Sequence, residues 1–87
     1  MQNLFKAFSL LKDEKEVKMF MRDLCTIGEI VSMAERLQVV QELKEGKSYR
    51  DICKQTGSST ATVTRVAHWF NHGTGGYKLL LERLHRP

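Results

Sequence analysis

Apolar residues recur along this chain at steps of three and four, and no window alternates long enough to read as a strand. Leu4, Phe5, Phe8 and Leu11 share one broad face of a first short helix predicted over residues 3–12. Val17, Phe20, Met21 and Leu24 line a second, from about Glu14 to Leu24, with Asp13 and Glu16 at capping-box spacing ahead of it. Thr26 and Glu29 repeat that signal. They open the longest helix, which carries Ile30, Met33, Ala34, Leu37, Val40 and Leu43 and runs to about Glu45, with Gly46 as its stop. Ser48 caps a fourth helix with Ile52 and Cys53 inside it and Gly57 at its end. Ser58 or Ser59 caps a fifth, where Val63, Val66, Ala67 and Phe70 form the stripe. Residues 71–76, NHGTGG, read as a flexible loop before a last helix from Tyr77 to Leu84 that carries Leu80, Leu81 and Leu84. The pattern predicts an all-α chain of six helices. The single proline is residue 87, so none breaks a helix from inside.

The segment from Ser48 to Phe70 sets the functional reading. Two short helices joined by a tight glycine turn make a helix-turn-helix. Opposite the apolar stripe of the second helix lie Thr60, Ala61, Thr64 and His68, a small polar face without acid. A solvated helix in a plain bundle would use Glu and Lys for helix propensity, whereas residues 58–64 are all Ser, Thr, Ala or Val. Small hydroxyl residues let a helix approach base edges and can donate or accept there. The alternative is a helix-turn-helix used only as a protein–protein dimerisation or adaptor module. DNA retention that falls steeply with salt separates the two, because phosphate contacts release counterions.

Charge adds to this picture. Residues 1–46 carry seven Lys/Arg against eight Asp/Glu, a net −1, and residues 47–87 carry seven against two, a net +5. The basic half is the half with the helix-turn-helix, the asymmetry expected where one end meets a phosphate backbone. At 87 residues the chain is one domain, 1–87, with 1–46 as dimerisation helices, 48–70 as the motif and 77–84 as the C-terminal helix. The first helix is too short to stand alone in water, and its phenylalanines need cover. A homodimer built through the N-terminal half is the expected solution.

Other chemistry finds little support. Cys25 and Cys53 form no disulfide framework, nothing at the N-terminus reads as a signal peptide, and no apolar run approaches the ~20 residues of a membrane span. Reduced thiols in a cytoplasmic setting are expected, with both cysteines as small hydrophobes. His68 and His72 stand four apart but lack the further ligands a zinc site needs. The GTGG run, Gly73 to Gly76, lacks the Lys-Ser/Thr of a phosphate loop and reads as a hinge. No Ser/His/Asp or paired-carboxylate arrangement points to an enzyme, and no cofactor is expected.

The run ERLQVVQELKEGKSYRDICKQTGSSTATVTR resembles the heart of the Trp repressor family, and the whole chain looks like its YerC/YecD subgroup. Thr26, Arg36, Leu43, Gly46, Gly57 and ATVTR at residues 61–65 carry the likeness. It implies an intertwined homodimer whose N-terminal helices wrap each other, operator binding to double-stranded DNA through the second motif helix, and a bacterial, nucleoid-associated protein. It also carries base reading over to Thr60, Ala61 and Thr64 and a backbone contact to Arg50; where the family has a lysine, this chain has Cys53 with Lys54 beside it. With the surrounding motif, the expected DNA-binding set is Arg50, Lys54, Ser58, Ser59, Thr60, Ala61, Thr64, Arg65 and His68. Arg36 and Arg65 match the two arginines with which the family holds a small-molecule corepressor, and guanidinium planes suit stacking on an indole. Val66 and Trp69 stand where a tryptophan-binding member has glycine and serine. Their side chains are expected to take up the space of the ligand, so L-tryptophan is not the expected corepressor.

Overall fold

The computed structural model describes residues 1–85; Arg86 and Pro87, the end of the expected domain, lie outside the described residues. Among the described residues there are six helices and no strand: α1 (Gln2–Ser9), α2 (Glu14–Leu24), α3 (Ile27–Lys44), α4 (Tyr49–Thr56), α5 (Thr60–His72) and α6 (Gly76–Leu84). The chain divides into two compact units, one of residues 1–31 and one from Ser32 onward. The division falls within α3, between Val31 and Ser32, rather than at the charge boundary near Gly46.

Local chemistry accounts for most helix starts. The Asp13 carboxylate accepts from the Glu16 N–H at 2.9 Å, and the Glu16 carboxylate reaches back to the Lys12 N–H at 2.9 Å. Thr26 and Glu29 make a reciprocal capping box, at 3.1 Å and 2.8 Å. Two boundaries differ from the sequence reading. α1 stops at Ser9 instead of residue 12, because the Ser9 hydroxyl donates to the Lys6 carbonyl at 2.6 Å and Leu10 and Leu11 close back on Ala7 and Phe8. α5 runs through Asn71 and His72, so the expected six-residue loop shrinks to residues 73–75.

In the first unit, Phe8 meets Phe20 edge to face, with ring centroids 5.2 Å apart. Neither α1 nor α2 has a buried residue. The second unit contains the core: Val39 and Val40 of α3, Ile52 of α4, Val63 and Val66 of α5 and Leu81 of α6. Side chains fully out of water there stabilise the fold by about 1.5–3 kcal/mol each relative to exposure. Leu37, Leu43, Cys53, Phe70 and Tyr77 pack around them. This core is what fixes α4 and α5 against the second half of α3.

Candidate nucleic-acid interface

The helix-turn-helix is built by its caps. Ser48 Oγ accepts from the Asp51 N–H at 3.2 Å and starts α4. Gly57 ends it in the left-handed region, at φ 74°, where a side chain would be strained. Thr56 then ties the turn: its hydroxyl donates to the Ile52 carbonyl at 2.7 Å and accepts from the Ser58 N–H at 3.2 Å. Ser59 caps α5, accepting from the Thr62 N–H at 3.1 Å while its own hydroxyl donor lies 3.0 Å from Thr62 Oγ1. α4 packs on α5, and Cys53 touches Thr60 across that contact, Sγ to Oγ1 3.9 Å.

Val63, Val66 and Ala67 turn into the core, and the opposite face of α5 is left to solvent. Thr60, Ala61, Thr64, Arg65 and His68 are all exposed, as are Ser59 on the turn and Arg50 and Lys54 on α4. Ser58 is the exception and a correction. It sits inside the turn, 9% exposed, and its Oγ has no hydrogen-bond partner among the described residues, so its side chain is not on this surface. The cause is the Thr56 tether on its N–H, which draws the residue inward. α5 has no Asp or Glu, and none of Arg50, Lys54 or Arg65 takes part in an ion pair among the described residues. Three cations without an ion pair among the described residues, beside an acid-free helix face, form a surface suited to an anionic backbone.

Arg36 and Arg65 line the same stretch of surface. They open onto one concavity of about 660 Å³, shared with Glu35, Val66, Trp69 and Tyr77. Arg36 Nε also lies 3.4 Å from the Ser32 carbonyl. Val66, 3% exposed and part of the core, and Trp69, 55% exposed, both line the concavity. Glu35 and Tyr77 escaped the sequence reading; only their placement beside the arginines, on α3 and α6, reveals them.

His68 contacts both Trp69 and His72, with ring centroids 5.6 Å and 5.2 Å away. Among the described residues no three His, Cys, Asp or Glu side chains gather as a metal site. No helix among them is long and apolar enough to cross a membrane.

The chain is 44% identical over 84 residues to the uncharacterized protein YerC of Bacillus subtilis (strain 168), an alignment that spans 97% of this chain and 81% of that protein. A TrpR-like protein from Eubacterium eligens, solved by crystallography, superposes with a TM-score of 0.89 at 44% identity, covering 95% of this chain and 86% of its own. A crystal structure described as a putative Trp repressor from Staphylococcus aureus gives 0.89 at 38% identity, covering 95% and 83%. The chain also matches the Trp repressor protein family over residues 1–85. A helix-turn-helix with these caps, an acid-free second helix and two arginines on one concavity is thus no isolated likeness: this chain belongs to the Trp repressor family, a family of DNA-binding regulators rather than enzymes.

Proposed function

We propose that the chain is a homodimeric, sequence-specific transcriptional repressor that reads the major groove with α5 and does so without L-tryptophan. One observation carries the reading. The outward face of α5 presents Thr60, Ala61, Thr64 and His68, free of acid, while Arg50, Lys54 and Arg65 flank it without an ion-pair partner among the described residues. Hydroxyls and a methyl at the centre suit base edges, and the cations suit the backbone on either side.

The first unit supports the dimer. Helices without a buried residue do not persist alone, yet here Phe5 is 66% exposed and Met19 60% exposed. A second copy would cover these side chains and set two α5 helices on successive major grooves. Independence from tryptophan is supported by Trp69. It presents this protein's own indole on the lining that holds Arg36 and Arg65.

The test is selection of bound duplexes from a random pool with purified protein, with sedimentation run in parallel at micromolar concentration. The reading predicts enrichment of a palindromic site and a single species near twice the 10.0 kDa chain mass. Unenriched DNA, or a folded monomer, would contradict it.

A further inference from the structure

Lys47 lies in the short link between α3 and α4, and it counts among the seven basic residues of the basic half. Its ammonium does not project freely. Three oxygens lie within reach of it: Glu42 Oε1 at 3.2 Å, Glu45 Oε2 at 3.2 Å and Gln55 Oε1 at 3.0 Å. A lysine ammonium has three N–H donors and no more, so these acceptors match its capacity. Two of them belong to α3 and its end, and the third to α4.

The backbone holds the residue in the same place. Gly46 adopts φ 84°, its N–H donates to the Leu43 carbonyl at 3.0 Å, and the Lys47 N–H donates to the Glu42 carbonyl at 3.3 Å. This is a Schellman termination, which fixes the direction in which the chain leaves α3. Lys47 therefore meets Glu42 twice, through its backbone and through its side chain.

Glu42 makes release of the lysine unfavourable. Its residue is 5% exposed, and its second oxygen, Oε2, has no hydrogen-bond partner among the described residues. Removing the ammonium would strand a buried carboxylate, whose cost exceeds that of an exposed pair. Glu42 and then Glu45 hold the Lys47 pKa above its ordinary 10.5, so the cation persists throughout the neutral range. Two carboxylates around one ammonium also leave the cluster with a net charge of −1, which does not attract phosphate.

We infer that Lys47 is a positioning residue for DNA recognition: it ties the first helix of the motif to α3 through Gln55 and Glu42 and makes no phosphate contact itself. This rests on the DNA-binding reading above. A cation that looks like part of the electrostatic footprint is thereby assigned to the frame, and the recognition role passes through α4 to α5, which packs on it.

The test uses the full chain with Lys47→Met, Gln55→Ala and the double variant, well below their melting temperatures, with Arg50→Ala as the comparison. Gln55 is exposed, so its truncation leaves the core intact. Two readouts are taken: affinity for the selected and for random duplexes across a salt series, and amide hydrogen exchange along residues 49–56 without DNA. Lys47→Met should lower affinity for the selected duplex about tenfold, with random binding and the salt slope unchanged. Arg50→Ala should flatten the slope by about one unit, the signature of one lost phosphate contact. Exchange along α4 should quicken in both Lys47→Met and Gln55→Ala, and the double variant should exchange no faster than Lys47→Met. A slope flattened by about one unit in Lys47→Met would overturn the inference, and so would unaltered exchange along α4. A parent chain that binds no duplex would overturn the DNA reading and the recognition role with it, while quickened exchange would still establish the tie. Should Lys47→Met fail to fold, Gln55→Ala decides: unaltered exchange and unaltered selected-duplex affinity overturn the inference.

Discussion

Val66 and Trp69 stand one turn apart on α5 and line the same concavity, yet Val66 is 3% exposed and Trp69 55%. The first is a core residue that also forms part of the wall; the second is a largely exposed residue of the same lining. Their removal should therefore have unlike costs. Val66→Gly loses buried methyl groups and adds glycine to a helix interior, together about 2–4 kcal/mol of stability. Trp69→Ser should cost no more than about 1 kcal/mol. Denaturant unfolding of both variants checks the order, and equal losses would show that Trp69 is packed as firmly as Val66.

Millimolar L-tryptophan should leave DNA affinity unchanged. A ligand shifts an equilibrium only through a difference in affinity between the two states, and the indole of Trp69 already lies on the lining beside Arg36 and Arg65. Titration of a labelled duplex with and without the amino acid is the measurement. A tenfold gain, equivalent to about 1.4 kcal/mol, would show that the remaining 660 Å³ receives it productively.

Thr64 and Arg50 should fail in different ways. Thr64→Ala removes a hydroxyl from the outward face of α5 and should cost roughly 1–3 kcal/mol at one base position while relaxing the preference there. Arg50→Ala should weaken all duplexes alike and flatten the salt slope by about one unit. Identical behaviour on selected and random DNA would refute this division of roles.

Adjacent serines in the turn give the sharpest contrast. Ser59 Oγ caps α5, so Ser59→Ala should destabilise by about 1 kcal/mol. Ser58 Oγ is buried without a partner, so Ser58→Ala should be neutral or stabilising, by up to about 1 kcal/mol, and should leave DNA affinity alone. Thermal melts of the two variants moving in the same direction would contradict the assignment.

Much of this arrangement is legible in the residue string because its causes are local. Asp13, Thr26, Ser48 and Ser59 each cap a helix from three residues upstream, a spacing that needs no knowledge of the fold. Gly57 announces the turn for the same reason, and the stripe of Val63, Val66 and Ala67 defines the outward face of α5 by subtraction. What stayed hidden is non-local. Gln55 lies eight residues from Lys47, and nothing in the spacing says that their side chains meet. Glu35 and Tyr77 join the arginines only once α3, α5 and α6 share a core. Ser58 looked like its neighbour Ser59, and a single hydrogen bond to Thr56 separates them.

The most direct test of the central claim is equilibrium binding of the purified chain to its selected duplex and to a scrambled duplex of the same composition, at about 0.15 M salt. Sequence-specific reading by α5 predicts two protomers per duplex and tighter binding to the selected site by about 10³-fold or more. Equal affinity for the two duplexes, or no measurable binding to either, would contradict the account.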